Sequence, residues 1–254
     1  WMSDPTWAND NGIFTAAGLE RATYPYYNHE TKALNFDEMV ATLKKVPAGD
    51  VVLFHACCHN PSGMDPNAEQ WNQLADLAAE RGFLPLFDFA YQGFGTGIEE
   101  DALGLRAFAE KGMELLVASS FSKNFGLYNQ RAGAMTVVAR TAEAATVAMS
   151  HVKLAIRVNY SNPPAHGARL VAAVLADSDL RRVWEQDVAT MRNRINGVRQ
   201  QFVETMATKT DKADFSFVAT QCGMFSFSGL NKEQVLELRE KHSIYIVGSG
   251  RISI

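Results

Sequence analysis

Apolar positions along the chain fall into two alternating registers. Short continuous runs occupy 50–55 (DVVLFH), 83–87 (FLPLF), 115–118 (LLVA) and 134–139 (AMTVVA). Such runs are the mark of interior strands covered on both faces. Between them, apolar residues recur at helical spacing. Phe36, Met39, Val40 and Leu43 predict a helix over 36–43, begun by Asn35 and favoured by Asp37 and Glu38 in its first turn. Leu74, Leu77 and Ala78 predict another over 65–82, capped by Asp65, with Pro66 in its first position and Gly82 at its end. Residues 99–111 and 141–152 read as further helices. Ahead of these lie an irregular entry over 1–10 broken by Pro5, a helix over 12–19 ended by Gly18, and an aromatic edge strand over 22–27 containing Pro25.

The second half changes style. Residues 157–164 are irregular and stop at Pro163 and Pro164, and an alanine-rich helix spans 168–176. A long helical pattern over 179–208 carries Leu180, Val183, Trp184, Val188, Met191, Ile195, Val198 and Phe202 on one face, long enough to bridge two domains. Beyond Asp211, half-exposed strands are predicted at 215–218 and 224–227, a helix over 231–242 capped by Asn231, and a strand at 243–247. The fold class is therefore α/β, a mostly parallel sheet with helices on both faces, followed by a smaller α+β domain. The expected division is 1–190 for the large domain and 191–254 for the small one. Both ends cut through the pattern, so the large domain's N-terminal part and the small domain's C-terminal part are expected to lie outside these residues.

Composition narrows the function classes. Of 254 residues, 47% are apolar and 20% charged, which supports a packed core. A net charge of −4 without a basic stripe excludes nucleic acid as the expected partner. No apolar run reaches the length of a membrane span, and no basic leader or cleavable apolar segment opens the chain. The three cysteines, Cys57, Cys58 and Cys222, are an odd number with an adjacent pair. That argues against a disulfide framework and for the reducing cytoplasm. His55, Cys57, Cys58 and His59 lack a second ligand pair at finger-like spacing, so no metal is expected.

In parallel sheets, ligands bind beyond the carboxyl ends of the strands. Residues 55–60, Asp88 and residues 119–123 gather there. Lys123 follows a buried strand, and a lysine whose pKa is lowered can form a Schiff base with a carbonyl compound. Ser120 and Arg131 supply donors for a phosphate. Lysine, phosphate donors and a strand end together point to pyridoxal 5'-phosphate, with a snorkelling surface lysine as the alternative. Asp88 ends a phenylalanine-rich strand, where a carboxylate needs a compensating cation; a turn-capping aspartate fits that pattern equally well.

The motifs themselves carry a resemblance. Residues 119–131 (SSFSKNFGLYNQR) are similar to the cofactor-lysine segment of class I aminotransferases, in the aspartate and aromatic amino acid branch. HACCHNPSG (55–63), FDFAYQGF (87–94), RVNYSNPP (157–164) and GSGR (248–251) match in the same order. The resemblance covers the whole chain and implies the type I fold of PLP-dependent transferases. It implies Lys123 as the catalytic residue and Asp88 as partner of the cofactor's ring nitrogen. Asn60 and Tyr91 then bond its phenolic oxygen, Ser120 and Arg131 its phosphate, and Trp7 stacks on the ring. Trp7 and Asn60 also face the substrate. Arg251 matches the clamp on the substrate's α-carboxylate. Arg157 matches the arginine that binds a distal carboxylate, reaching into the neighbouring site of a homodimer with shared active sites. Phe225 resembles a residue lining the substrate cavity, and His55 one close to the aspartate. Where the family commonly has a histidine, this chain has Asp10, to which no role is assigned.

The implied activity is ping-pong transfer of an amino group between L-aspartate, or another amino acid, and 2-oxoglutarate. The alternatives are a broad aromatic amino acid aminotransferase and an inactive fragment of such an enzyme. Arg157 together with Arg251 argues against a decarboxylase or lyase on the same fold.

Overall fold

The computed structural model describes residues 1–254. In chain order its elements are β1 (Met2–Asp4), α1 (Asp10–Ala16), β2 (Thr23–Pro25), β3 (Tyr27–Asn28), β4 (Ala33–Leu34), α2 (Phe36–Leu43), β5 (Val51–His55), α3 (Ala68–Arg81), β6 (Leu84–Phe89), α4 (Leu103–Glu110), β7 (Leu115–Ser120) and β8 (Gly133–Val138). They continue with α5 (Ala142–Asn159), α6 (Ala165–Ala176), α7 (Ser178–Lys209), β9 (Phe225–Phe227), α8 (Lys232–His242) and β10 (Arg251–Ser253).

The central sheet runs in the order β5-β6-β7-β8, with β8 antiparallel to three parallel strands. Its register sets His55 beside Asp88 and Asp88 beside Ala118, so the carboxyl ends of the three parallel strands lie level. The apolar runs that predicted these strands are in the core: Val52, Phe54, Phe87 and Leu115 are each buried to within 1% exposure. Phe54, Phe87, Phe108 and Trp71 form an aromatic cluster between the sheet and helices α3 and α4. Edge-on and tilted ring contacts of this kind add specificity to the burial.

Helix α3 buries Trp71, Leu74, Ala75, Leu77 and Ala78 and ends at Gly82 in the left-handed conformation, as its spacing predicts. Its start is corrected. Asn67, not Asp65, is the cap, in a reciprocal capping box with Gln70. The Asp65 carboxylate instead accepts from the backbone N–H of Cys58 and His59, at 2.6 and 2.9 Å, and from the Cys222 thiol. Asn35 does precede α2, but its side chain donates to Glu38 rather than capping a backbone N–H. The entry segment expected to be irregular includes β1, which pairs parallel to β2.

Further differences lie in the second half. The helix expected to stop at 152 continues as α5 through Asn159, so Arg157 lies in its last turn. Of the apolar face predicted for α7, Val188 is buried, whereas Leu180, Val183 and Met191 are 49%, 53% and 38% exposed. Residues 215–218 are not a strand; a 3-10 turn spans Ser216–Thr220. Residues 243–247 are not a strand either. The strand that pairs antiparallel with β9 is β10, several residues later. An alternating apolar pattern there finds no partner edge, and an unpaired strand has no ladder to hold it.

Helix α7 touches both halves. Val188 packs on Gly93, where an added Cβ would come within 2.6 Å of it, and Arg192 donates to the Gly93 carbonyl. Two turns further on, the buried Arg199 donates to the Gly223 carbonyl and the Ser226 hydroxyl. The two halves also meet at Gly63, which has a positive φ and where an added Cβ would lie 2.6 Å from the Phe225 carbonyl oxygen, leaving no room for a side chain.

Candidate active site

Three strand ends and one returning strand build the site. After β5 the chain turns through residues 56–63, fixed by Asp65 and by His59, whose ring nitrogens bond Ser3 and Ser62 at 2.9 and 2.7 Å. Burial, and then the adjacent His55 ring, hold His59 well below the usual histidine range, so it stays neutral. This turn presents Asn60, whose backbone N–H donates to His55 Nδ1 at 3.1 Å.

From β6 come Asp88 and Tyr91. Burial pushes the Asp88 carboxyl up; His55 and Lys123 pull it down and Asp10 adds to the rise. Burial, then the Asp88 charge, push the Tyr91 hydroxyl up to about 12. From β7 comes the loop carrying Lys123, with its ammonium nitrogen 4.8 Å from the centre of the Tyr91 ring. Burial lowers the Lys123 pKa, Asp88 opposes that, and Arg131 adds to it. The loop is braced from α7: Trp184 stacks on Phe125 at 4.5 Å and donates its indole N–H to the Asn124 carbonyl. Ser120 is half-buried and its hydroxyl accepts from the Ser122 N–H. Arg131 is exposed, in left-handed conformation, with its guanidinium on the Tyr128 carbonyl.

The fourth side is β10. Arg251 donates to the Asn60 side-chain oxygen at 3.1 Å and lies over the Phe225 ring, 4.3 Å from its centre. Its Nε is buried without a partner. Phe225 in turn meets the Tyr91 ring edge-on at 5.9 Å. Asn60, Asp88, Tyr91, Lys123, Phe225 and Arg251 are thus joined by contacts or by mutual electrostatic influence. Such a cluster of a half-buried acid, a half-buried amine and a guanidinium with an unpartnered Nε is the environment in which titratable groups serve chemistry.

Ser120, Trp7 and Arg157 are not tied into this cluster. Trp7 is 38% exposed on the loop ahead of α1. Arg157 is exposed, its guanidinium touching Ser161 at 3.4 Å. Other contributors escaped the sequence reading. Asp101 accepts from the backbone N–H of Gly93, Gly95, Thr96 and Gly97, which fixes the turn after Tyr91. A carboxylate shortly after a glycine-rich turn was the available signal. Arg199 had none, because its partners are distant in sequence. Among helices, none is long and apolar enough to cross a membrane.

Comparison with known proteins agrees in kind. The family model described as "Aminotransferase class I and II" matches residues 1–254. The aspartate aminotransferases of Salmonella typhi and Escherichia coli (strain K12) are 58% and 57% identical to the chain over its whole length. The chain spans 64% of the length of each. A solved structure of the aromatic-amino-acid aminotransferase from Burkholderia pseudomallei, covalently bound to pyridoxal phosphate, superposes with a TM-score of 0.97 at 46% identity. That match covers 99% of this chain and 63% of the other.

Proposed function

The chain belongs to the class I and II aminotransferase family, and from that premise we propose that it is the core of a pyridoxal-phosphate-dependent transaminase acting on L-aspartate and 2-oxoglutarate. The observation that carries this reading is the placement of Asp88 near the end of β6 and of Lys123 in the turn that follows the adjacent parallel strand β7, where each acts on the other's charge. The residues present fit the cofactor. A half-buried carboxyl with raised proton affinity suits a protonated ring nitrogen, and a half-buried amine with lowered affinity suits an aldehyde.

Lys123 would hold the aldehyde carbon through Nζ, and Asp88 would keep the ring nitrogen protonated. Asn60 and Tyr91 would bond the phenolic oxygen, Ser120 and Arg131 the phosphate, and Trp7 would lie against the ring. Bound there, pyridoxal phosphate supplies an electron-accepting ring that stabilises negative charge at the substrate's α-carbon. Arg251 would grip the α-carboxylate: with Nη1 held on Asn60, the unpartnered Nε and the adjacent Nη2 form a fork for two parallel hydrogen bonds. The Lys123 amine would take and return the proton at the substrate's α-carbon. Its lowered pKa leaves more of it in the basic form that this step needs.

Arg157 is assigned the distal carboxylate of aspartate or glutamate in the partner site of a homodimer. Its exposure beside Leu154 and Val158, which are 61% and 88% exposed, supports a face covered by a second subunit. The same freedom supports a second reading, a broad aromatic aminotransferase in which Arg157 swings aside. We assign 1–190 to a large cofactor domain and 191–254 to a small one, a division supported by the contacts of α7 with both halves. The cytoplasm is the inferred compartment, supported by three free cysteines. Borohydride reduction of the full-length protein with pyridoxal phosphate, followed by peptide mapping, tests the reading. The label is expected on Lys123, and a label elsewhere or none overturns it.

A further inference from the structure

Cys58 and Cys222 meet where the two halves of the chain touch. Their sulfurs and one Asp65 carboxylate oxygen lie within 4.8 Å of one another. The backbone at Gly223 runs so close that an added Cβ would stand 2.4 Å from the Cys58 Cβ. Cys222 is half-buried, while Cys58 is only 3% exposed. Cys58 holds a left-handed backbone, φ 53°, which is strained for a residue with a Cβ. The N–H groups of Cys58 and His59, both on Asp65, keep it there. The Cys222 thiol donates to Asp65 Oδ2 at 3.1 Å, and the Cys58 thiol reaches the Tyr91 carbonyl at 3.9 Å. Contact with the Cys58 thiol, and then burial, hold the Cys222 thiol well above the ordinary range, so it needs a base to react. Asp65 is placed to be that base, and burial raises its own proton affinity. On the other side, the buried Arg199 spends its hydrogen bonds on neutral groups of Ser226, Asn196 and Gly223. The charges that act on it are those of Cys222 and Cys58. A fixed cation beside two sulfurs favours a thiolate and repels a metal ion, so the trio is a thiol pair with its base rather than a metal site.

We propose that Cys58 and Cys222 are a modification site: hydrogen peroxide oxidises them to a disulfide that crosses the two halves and shifts Asn60 against Arg251. Asp65 takes the Cys222 thiol proton, and the sulfur attacks one peroxide oxygen. An S–O bond forms, the O–O bond breaks, and the departing hydroxide takes the proton from Asp65 and leaves as water. Cys222 is then a sulfenic acid. The Cys58 sulfur attacks the Cys222 sulfur. The S–S bond forms, the S–O bond breaks, and the hydroxide leaves with the Cys58 proton as a second water. Two thiols have given up two electrons and one peroxide has accepted them; a dithiol reductant reverses the change. The half-buried Cys222 meets the oxidant, and the buried Cys58 resolves the product. Cys58 lies in the turn that presents Asn60, and Cys222 leads into β9 and Phe225, so the new bond moves one side of the site against the other. The effect on turnover rests on the function proposed above; the bond itself does not. Transient disulfides of this kind suit a reducing compartment, where the thiols are the resting state.

The test uses the full-length protein, reduced, treated with hydrogen peroxide, and digested without reductant for mass spectrometry. A linked peptide pair carrying Cys58 and Cys222 is expected, and dithiothreitol should split it. The pair should persist in Cys57→Ala and vanish in Cys58→Ala. In Cys58→Ala the sulfenic acid has no resolving thiol, so dimedone should label Cys222 instead. Turnover of aspartate should fall about tenfold on oxidation and recover with dithiothreitol, whereas Cys222→Ser should keep its turnover through the same treatment. A bond made by Cys57, a dimedone label on Cys57 or Cys58 in place of Cys222, or all three thiols still free after peroxide overturns the proposal. So does a linked protein whose turnover is unchanged. A protein that forms the link but shows no aspartate turnover even when reduced would instead overturn the reading of function, with the thiol pair established by the mapped peptides.

Discussion

The guanidinium of Arg251 lies 3.1 Å from the side-chain oxygen of Asn60, a residue 191 positions earlier. That bond closes the site. It ties the strand-end turn after β5 to the only part of the chain that pairs with β9, and it aims one charged donor across the cluster from Lys123. Arg251 should therefore serve every amino acid substrate alike. Arg251→Lys keeps the charge but loses the planar fork, and kcat/KM is expected to fall about 100-fold for aspartate and phenylalanine together. A loss confined to one substrate would refute the assignment to the shared α-carboxylate.

Removing the amine at residue 123 should separate holding the cofactor from moving the proton. Lys123→Ala is expected to bind pyridoxal phosphate without covalent attachment, and to lower the rate at least about 10⁴-fold. Retained turnover in this variant, or a borohydride-fixed label on another residue, would show that a different residue does the work.

Asp88 offers a prediction in which stability and function move in opposite directions. Burial raises its folded pKa above the ordinary carboxylate value. Between those two values the folded state binds more protons than the unfolded one. Its contribution to stability therefore falls as pH rises through the raised folded value, and is lost above it. Asp88→Asn removes that decline. The cofactor-free variant is expected to melt about 2–4 °C higher than the unsubstituted protein at neutral pH and to match it in acid. The same variant should bind pyridoxal phosphate more weakly. A lower melting temperature at neutral pH would mean that the carboxylate is compensated within the chain.

The sheet and its chemistry were legible because they are written locally. Each parallel strand is a run of apolar residues ending in a polar group, so His55, Asp88 and Ser119 stand out at the strand ends before any fold is known. Asp65 and Pro66 predicted the start of α3, whereas Asn67 and Gln70 form its cap. The choice between them was settled by tertiary contacts: the turn bearing Cys58 and His59 needed an acceptor, and Asp65 became it. The small domain was least legible. Residues 243–247 alternate like a strand, yet pairing, not alternation, decides strands, and β10 holds the partner edge. Arg199 illustrates the same limit, since the carbonyl and hydroxyl it holds lie 24 and 27 residues further on.

The reassigned Asp65 can be tested directly. Its carboxylate accepts two backbone N–H groups and the Cys222 thiol, and so couples the Asn60 turn to the segment before β9. Asp65→Ala leaves both buried N–H groups without a partner, and a loss of about 2–3 kcal/mol in chemical denaturation is expected. Asp65→Asn, which retains one acceptor oxygen, should recover part of it. A helix-capping role would predict a smaller loss, about 1 kcal/mol, and Asn would restore it fully.

Arg157 decides between the two substrate readings. It stands exposed at the end of α5, held by the Ser161 hydroxyl, so substituting it should leave the fold and the cofactor site unchanged. If it binds a distal carboxylate, Arg157→Ala removes a charge-assisted pair from dicarboxylic substrates alone. The expected result is a drop of about 100-fold in kcat/KM for aspartate, with phenylalanine within about threefold of the unsubstituted protein. In an aromatic aminotransferase that moves this side chain aside, phenylalanine would already be the better substrate before substitution, and the variant would widen that preference. The starting ratio of the two efficiencies therefore separates the readings, and the variant shows whether Arg157 sets it. Equal losses for both substrates would mean that Arg157 supports the subunit interface rather than the choice of substrate.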